Sequence, residues 1–386
     1  MPRITVILPV FNGERYLAEA IESILAQTCK DFEFLIVDDA STDQTSAILA
    51  RFGDPRIRVL RNDLNLGVAR SLNKALRQAT GKYVARQDAD DVSLPGRLEK
   101  QVHFLEAHPE VALASTGWAL SEEEGTDRRP APPPRSEVDL KWTLLFYNPI
   151  AHMSVMMKRE AVEQCGAYPE DTHCSCVEDY ALWSQMSERF RLATLPEELV
   201  LRRVSHQAVS VKKRELQDQQ VKSISLRNLS STLGCPLLSE SDYDLLCAAM
   251  GAPAPRLEKI PLTRMRGAMN SLDRLLDEFY SKHKISPAEA AEHRARLQWA
   301  WGRHYISLAL RARSTLRWRF SVLFKGARLL CAIPLLGAQG AVVRFWSDRR
   351  NNAQMGRRIG MGPRERATAG RVCPKVRVKP PYHAGE

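Results

Sequence analysis

Tyr83-Val84-Ala85-Arg86-Gln87-Asp88-Ala89-Asp90-Asp91, the start of YVARQDADDVSL at residues 83–94, is a short apolar run that breaks into three carboxylates. The apolar part has the composition of a buried strand. Three negative charges at 88, 90 and 91 raise one another's pKa unless something cationic sits among them, and a hard divalent cation with oxygen ligands suits the place. Alternate residues of an extended segment share a side, so Asp88 and Asp90 aim at one ligand and Asp91 takes the next position. Taken alone, the same residues also read as a solvated turn or a helix cap ahead of Pro95.

Working outward from there, residues 4–8 (ITVIL) form a strand closed by Pro9, and residues 34–37 (FLIV) a second strand that ends in Asp38-Asp39. Between them, residues 16–28 carry Leu17, Ala20, Ile21, Ile24 and Leu25 at helical spacing. The pattern continues with a helix over 42–51 capped by Ser41, a strand over 57–60 and a helix over 68–79 stopped by Gly81. This alternation predicts a parallel, doubly wound α/β sheet, whose ligands gather at the carboxyl ends of the strands. Three strand ends carry polar groups: Asn12 with Glu14, Asp38 with Asp39, and the triple acid.

The segments VILPVFNGERYLAEAIESILAQT, FLIVDDASTDQT, NDLNLGVARSLNKAL and YVARQDADD stand in an order and spacing that resembles family 2 glycosyltransferases with the GT-A fold, over residues 3–210. The resemblance implies a sugar-nucleotide donor, usually a UDP-sugar, a divalent metal, and transfer with inversion. It implies that Pro9, Val10, Asn12 and Glu14 line the nucleotide pocket, that Asp39 contacts the base and that Arg70 lies near the nucleotide. Asp88, Asp90 and Asp91 match the Asp-x-Asp motif, with Asp88 and Asp90 toward the nucleotide sugar and Asp90 and Asp91 toward the metal. Glu178-Asp179-Tyr180 matches the ED motif, which makes Asp179 the general base and Glu178 its support. His152 resembles a position on the acceptor side. His206 is matched to a segment that folds over the diphosphate as a phosphate or metal contact, although Arg203 and His206 are one residue further apart than in that pattern.

Charge arithmetic supports the metal independently. A diphosphate needs neutralising, and neither G-x-G-x-x-G nor G-x-x-x-x-G-K-[ST] occurs in the chain, so Mg²⁺ or Mn²⁺ on Asp90 or Asp91 has to supply positive charge. Without the other motifs, Glu178-Asp179 would read as an acidic pair at a helix start, complementing its dipole. Trp183 reads as core.

The chain has 386 residues and a net charge of +11. The expected organisation is a GT-A domain over 1–210, with a nucleotide-sugar half (1–118) and an acceptor half (136–210). A helical region follows over 211–346, then a basic, disordered tail over 347–386. Residues 344–386 hold eleven Lys or Arg against three Asp or Glu, so 11 − 3 = +8 of the charge sits there. That excess reads as contact with an anionic membrane, and no nucleic-acid partner is expected. Residues 121–135 read as a surface loop, and Ser286-Pro287-Ala288-Glu289 as a capping box opening a helix through Arg311. Residues 315–346 fall short of a membrane span and read either as an interfacial amphipathic segment or as a packed helix. Cys174-x-Cys176 beside His173 falls short of zinc spacing, and the eight cysteines read as reduced thiols. Met1-Pro2-Arg3 leads straight into the first strand, so a cytoplasmic protein without a signal peptide is expected, peripheral on the inner membrane face.

The resulting expectation is an inverting glycosyltransferase that moves a hexosyl or N-acetylhexosaminyl group to a glycan or lipid-linked acceptor in surface polysaccharide or lipopolysaccharide synthesis. Its competitors are an inactive sugar-nucleotide-binding scaffold of the same fold, a receiver-like phosphoryl-transfer domain and a nucleotidyltransferase. The receiver lacks its lysine here, and the nucleotidyltransferase lacks its glycine-rich loop after the first strand.

Overall fold

The computed structural model describes residues 2–121, 129–131, 136–203, 214–234, 243–244, 246–247 and 262–311. The first half is built on β1 (Ile4–Val10), which pairs in parallel with β2 (Phe32–Asp38) on one side and β4 (Tyr83–Arg86) on the other. β3 (Ile57–Arg61) extends the sheet beyond β2, also in parallel. Val10 lies opposite Asp38 and Ile7 opposite Arg86, so the carboxyl ends of β1, β2 and β4 open on one edge. Helices α1 (Leu17–Leu25), α2 (Thr45–Leu49) and α3 (Val68–Gln78) make the connections.

Period-two alternation sorts the core. Ile4, Val6, Leu8, Phe34 and Ile36 pack toward α1 and α4 (Arg97–Ala107), while Ile7, Leu35 and Val37 pack toward α3 on the opposite face. Because both faces are covered, these strands read as continuous apolar runs.

Beyond β4 the sheet departs from the wholly parallel expectation. The nine described strands run β3-β2-β1-β4-β8-β6-β9-β5, with β7 off that path on β6. β8 (Met156–Lys158) is antiparallel to both β4 and β6 (Val111–Ser121), and β9 (Arg191–Arg203) returns parallel to β6. β8 is three residues long and follows a 3-10 turn (His152–Ser154), without the crossover helix that a parallel addition requires. β5 (Val92–Ser93) pairs antiparallel with β9, and this draws the end of β9 back over the Asp88–Asp91 turn. Within the segment expected to be loop, β7 (Arg129–Ala131) forms a strand on β6.

Two boundaries also differ. β1 runs on through Pro9 to Val10, and α2 begins at Thr45 instead of 42, because the Ser41 hydroxyl and the Thr42 N–H are both engaged by Asn12, which holds this segment against the turn after β1.

Helices α5 (Glu137–Leu144), α6 (Arg159–Gln164) and α7 (Glu178–Arg189) complete the part of the chain built on this sheet. After them come α8 (Arg214–Leu233), α9 (Leu262–Lys282) and α10 (Pro287–Arg311). Leu229, Leu272, Leu275, Leu276, Phe279 and Trp301 share a core with Trp142, Leu145 and Phe146, which ties these helices to the end of α5. The Ser286–Glu289 box is formed: the Ser286 N–H donates to Glu289 Oε2, and the Glu289 N–H donates to Ser286 Oγ, both at 3.4 Å. No described helix is long and apolar enough to cross a membrane. His206, the segment 315–346 and the basic tail lie outside the described residues.

Candidate active site

The site grows from the sheet edge where β1, β2 and β4 end. After β1 the chain turns with Asn12 at φ +53°, a left-handed conformation that asparagine tolerates. The Asn12 side chain accepts from the Thr42 N–H (2.9 Å), and the Glu14 carboxylate accepts from the Gln44 N–H (3.0 Å). Both therefore brace the 39–45 loop against the turn after β1. Val10 is buried, and its carbonyl accepts from the Asp39 N–H at 2.8 Å; Pro9 is half-buried beside it.

Asp39 is buried as well. One of its oxygens accepts from Asn62 Nδ2 (2.7 Å) and the Leu66 N–H (2.9 Å), the other from the Gly67 N–H (2.9 Å). It shapes the 62–67 loop that leads into α3. Arg70, on α3, is exposed, with its Nε 3.5 Å from Glu170.

β4 stops at Arg86, and Asp88 to Asp91 form a turn, with the Asp91 N–H 3.4 Å from the Asp88 carbonyl. The turn and the acidic cluster are thus the same feature. Arg86 is buried beneath it, donating from one terminal nitrogen to the Gln87 carbonyl and from the other to Asp88 Oδ1 at 2.6 Å. Burial alone would raise the Asp88 pKa, but the Arg86 guanidinium carries it below its ordinary value. Asp90 and Asp91 have no such contact. Burial, then repulsion from Asp88, raises Asp90, and burial with repulsion from both neighbours holds Asp91 well above the carboxylate range.

Arg203 closes the turn from β9: its N–H donates to Asp91 Oδ1 and its Nε to the Asp90 carbonyl, both at 2.9 Å, and its guanidinium pairs with Glu19. Arg202 lies over the Trp118 ring and adds positive charge facing the acids.

Across Arg86 stands the second carboxylate pair, in the first turn of α7. Burial, then its neighbour Asp179, pushes Glu178 up to about 8, and burial pushes Asp179 up to about 6. Asp179 is held on both oxygens, by the Tyr180 N–H at 2.7 Å and by Asn148 Nδ2 at 2.8 Å. Asp88 and Arg86 act on Glu178 and Asp179 alike, so the acidic turn and this pair lie in one electrostatic field. His152 belongs to the same group, with its Nε2 3.1 Å from Tyr168 Oη. Burial, reinforced by Arg86, pushes it down to about 3, which leaves it neutral. Trp183 is fully buried.

Among the described residues no side chain donates to the Asp90 carboxylate, whose hydrogen bond comes from the backbone, so it keeps lone pairs for a cation. No three His, Cys, Asp or Glu side chains among the described residues converge into a cage for an ion. Mg²⁺ or Mn²⁺ needs no such cage, because one or two carboxylates suffice when phosphate oxygens and water complete the shell.

Residues 5–166 match the family described as Glycosyl transferase family 2. EpsE of Bacillus subtilis (strain 168) is 39% identical over 204 residues, covering 51% of this chain and 72% of EpsE. The chain belongs to glycosyltransferase family 2. A second relative of this glycosyltransferase is WfaP of Escherichia coli, named a UDP-Glc:alpha-D-GlcNAc-diphosphoundecaprenol beta-1,3-glucosyltransferase. It is 31% identical over 183 residues, 47% of this chain and 69% of WfaP. Among solved structures, S. aureus TarS 1-349 in complex with UDP-GlcNAc superposes with a TM-score of 0.52 at 16% identity, covering 86% of this chain and 91% of that one, and shows the fold to be GT-A.

Sequence reading missed Arg86, Arg203 as a clamp on the acidic turn, and Asn148. Only Arg86 left a local trace, as a cation two residues before Asp88.

Proposed function

We propose that this glycosyltransferase is an inverting enzyme that moves a sugar from a UDP-sugar to a hydroxyl of a lipid-linked glycan. The observation that carries the reading is the carboxyl pair at the start of α7: the Tyr180 N–H and Asn148 Nδ2 each donate to a different oxygen of Asp179 and so favour its ionised form, while burial and that neighbouring charge push Glu178 higher. Asp179 accepts the proton of the acceptor hydroxyl as its oxygen attacks the anomeric carbon, while the bond from that carbon to the diphosphate breaks and UDP departs with the electron pair. One base on the face opposite the leaving group gives inversion, and such a base contributes ~10²–10⁴ in rate.

On the donor side, Asp88 and Asp90 receive the nucleotide sugar, with Asp39 and Arg70 toward the nucleotide, and the turns at Pro9–Glu14 form the wall. Asp90 and Asp91 would hold a Mg²⁺ or Mn²⁺, with His206 as the further contact that the family resemblance implies, and the ion would supply Lewis-acid stabilisation of the departing diphosphate. His152 faces the acceptor as a neutral imidazole. The donor and acceptor in WfaP's name support a UDP-hexose and a diphospholipid-linked sugar, and with them a role in surface polysaccharide synthesis at the inner membrane face.

The test is a transfer assay with radiolabelled UDP-glucose, UDP-N-acetylglucosamine and GDP-mannose on a short-chain polyprenyl-diphosphate-linked GlcNAc. Asp179→Asn is expected to bind donor and transfer nothing. Transfer by that variant at the wild-type rate overturns the base assignment.

A further inference from the structure

Asp179 takes its orientation from a residue thirty-one positions earlier. Beyond α5, Leu145 and Phe146 are buried in the core shared with α8 and α9, and the Tyr147 N–H donates to the Thr143 carbonyl at 3.0 Å. These contacts fix the point at which Asn148 leaves the helix. Its Oδ1 accepts from the Ile150 N–H at 3.0 Å, a backbone donor that prevents the amide from turning over. Nδ2 is therefore the end presented to Asp179, 2.8 Å from Oδ2, while Oδ1 of Asp179 accepts from the Tyr180 N–H. Two donors on different oxygens stop the carboxylate rotating, and each oxygen keeps a lone pair for an incoming hydroxyl.

We propose that Asn148 is the positioning residue for the base, fixing the rotation of the Asp179 carboxylate through an amide whose own orientation the Ile150 N–H dictates. This rests on the reading of Asp179 as base. A donor at hydrogen-bond distance also favours the ionised form of the acid it serves. Among the described residues, the charged or titratable groups facing Asp179 are Glu178 on its own helix, Arg86 and Asp88 at the end of β4, and Tyr168. Asn148 is neutral at every pH, so replacing it acts on Asp179 without adding a titration of its own.

The experiment is a ¹³C titration of aspartate side-chain carboxyls in the intact chain, with the Asp179 signal assigned by its loss in Asp179→Asn, run beside the acid limb of kcat in the transfer assay. Asn148→Ala is expected to raise the Asp179 midpoint by about one pH unit and to carry the acid limb with it. Asn148→Asp keeps the acceptor for Ile150, and so the local fold, but sets a second carboxylate against Asp179; its midpoint is expected to rise further. A midpoint unmoved in both variants, with Asp179→Asn inactive, overturns the role of Asn148 and leaves the base in place. A midpoint that rises while the acid limb stays overturns the base assignment itself.

Discussion

Replacing Glu178 by glutamine is expected to stabilise the protein at neutral and alkaline pH and to do little in acid. The folded protein holds this carboxyl at about 8 against an ordinary value of 4.5, so between those values the folded state binds more protons than the unfolded state. Wild-type stability therefore falls as pH climbs from about 4.5 to about 8 and levels off above. The full gap of about 3.5 corresponds to ~5 kcal/mol at ~1.4 kcal/mol per unit, and part of it is shared with Asp179, so ~3–5 kcal/mol is expected at pH 9. At pH 5 the difference shrinks to ~1 kcal/mol. Glutamine keeps the shape and removes only the charge. Urea unfolding of wild type and Glu178→Gln at pH 5, 7 and 9, followed by the fluorescence of buried Trp142 and Trp183, reads the effect directly. Two curves offset equally at all three pH values would refute the placement of a desolvated acid pair at the start of α7.

Arg86→Leu leaves Asp88 without its buried counter-charge and is expected to cost ~3–5 kcal/mol in urea unfolding, in contrast to the gain at Glu178. Asp39→Ala removes the acceptor of three hydrogen bonds to the 62–67 loop, so amide exchange at Leu66 and Gly67 is expected to quicken and global stability to fall by roughly 2–4 kcal/mol. Ser286→Ala dissolves the capping box and costs about 1 kcal/mol, seen as a small drop in the unfolding midpoint without loss of donor binding.

The parallel half of the fold was legible because its signals are local. Residues 6–8, 34–37 and 83–85 are apolar runs and α1 and α3 carry a helical period, so element order and the acidic strand end could be read off a few residues at a time. α2 was misjudged at its start because Ser41 answers to Asn12, which lies twenty-nine residues away. β8 gave no hint of its direction, since three residues beside a 3-10 turn carry no period. The acids of the site announced themselves by density, whereas their fixings did not: Asp91 is held by Arg203 across 112 positions and Asp179 by Asn148 across 31. Asp39 reads in sequence as a ligand contact; that its oxygens also accept three hydrogen bonds from the 62–67 loop is invisible there, because those donors lie 23 to 28 positions away.

Donor binding with and without metal tests the central claim most directly. Isothermal titration of UDP into wild type and Asp90→Asn, each with Mn²⁺ and then with EDTA, is expected to show binding only for wild type with Mn²⁺. Equal affinity in all four titrations would contradict the assignment of the Asp88–Asp91 turn as the place where cation and diphosphate meet.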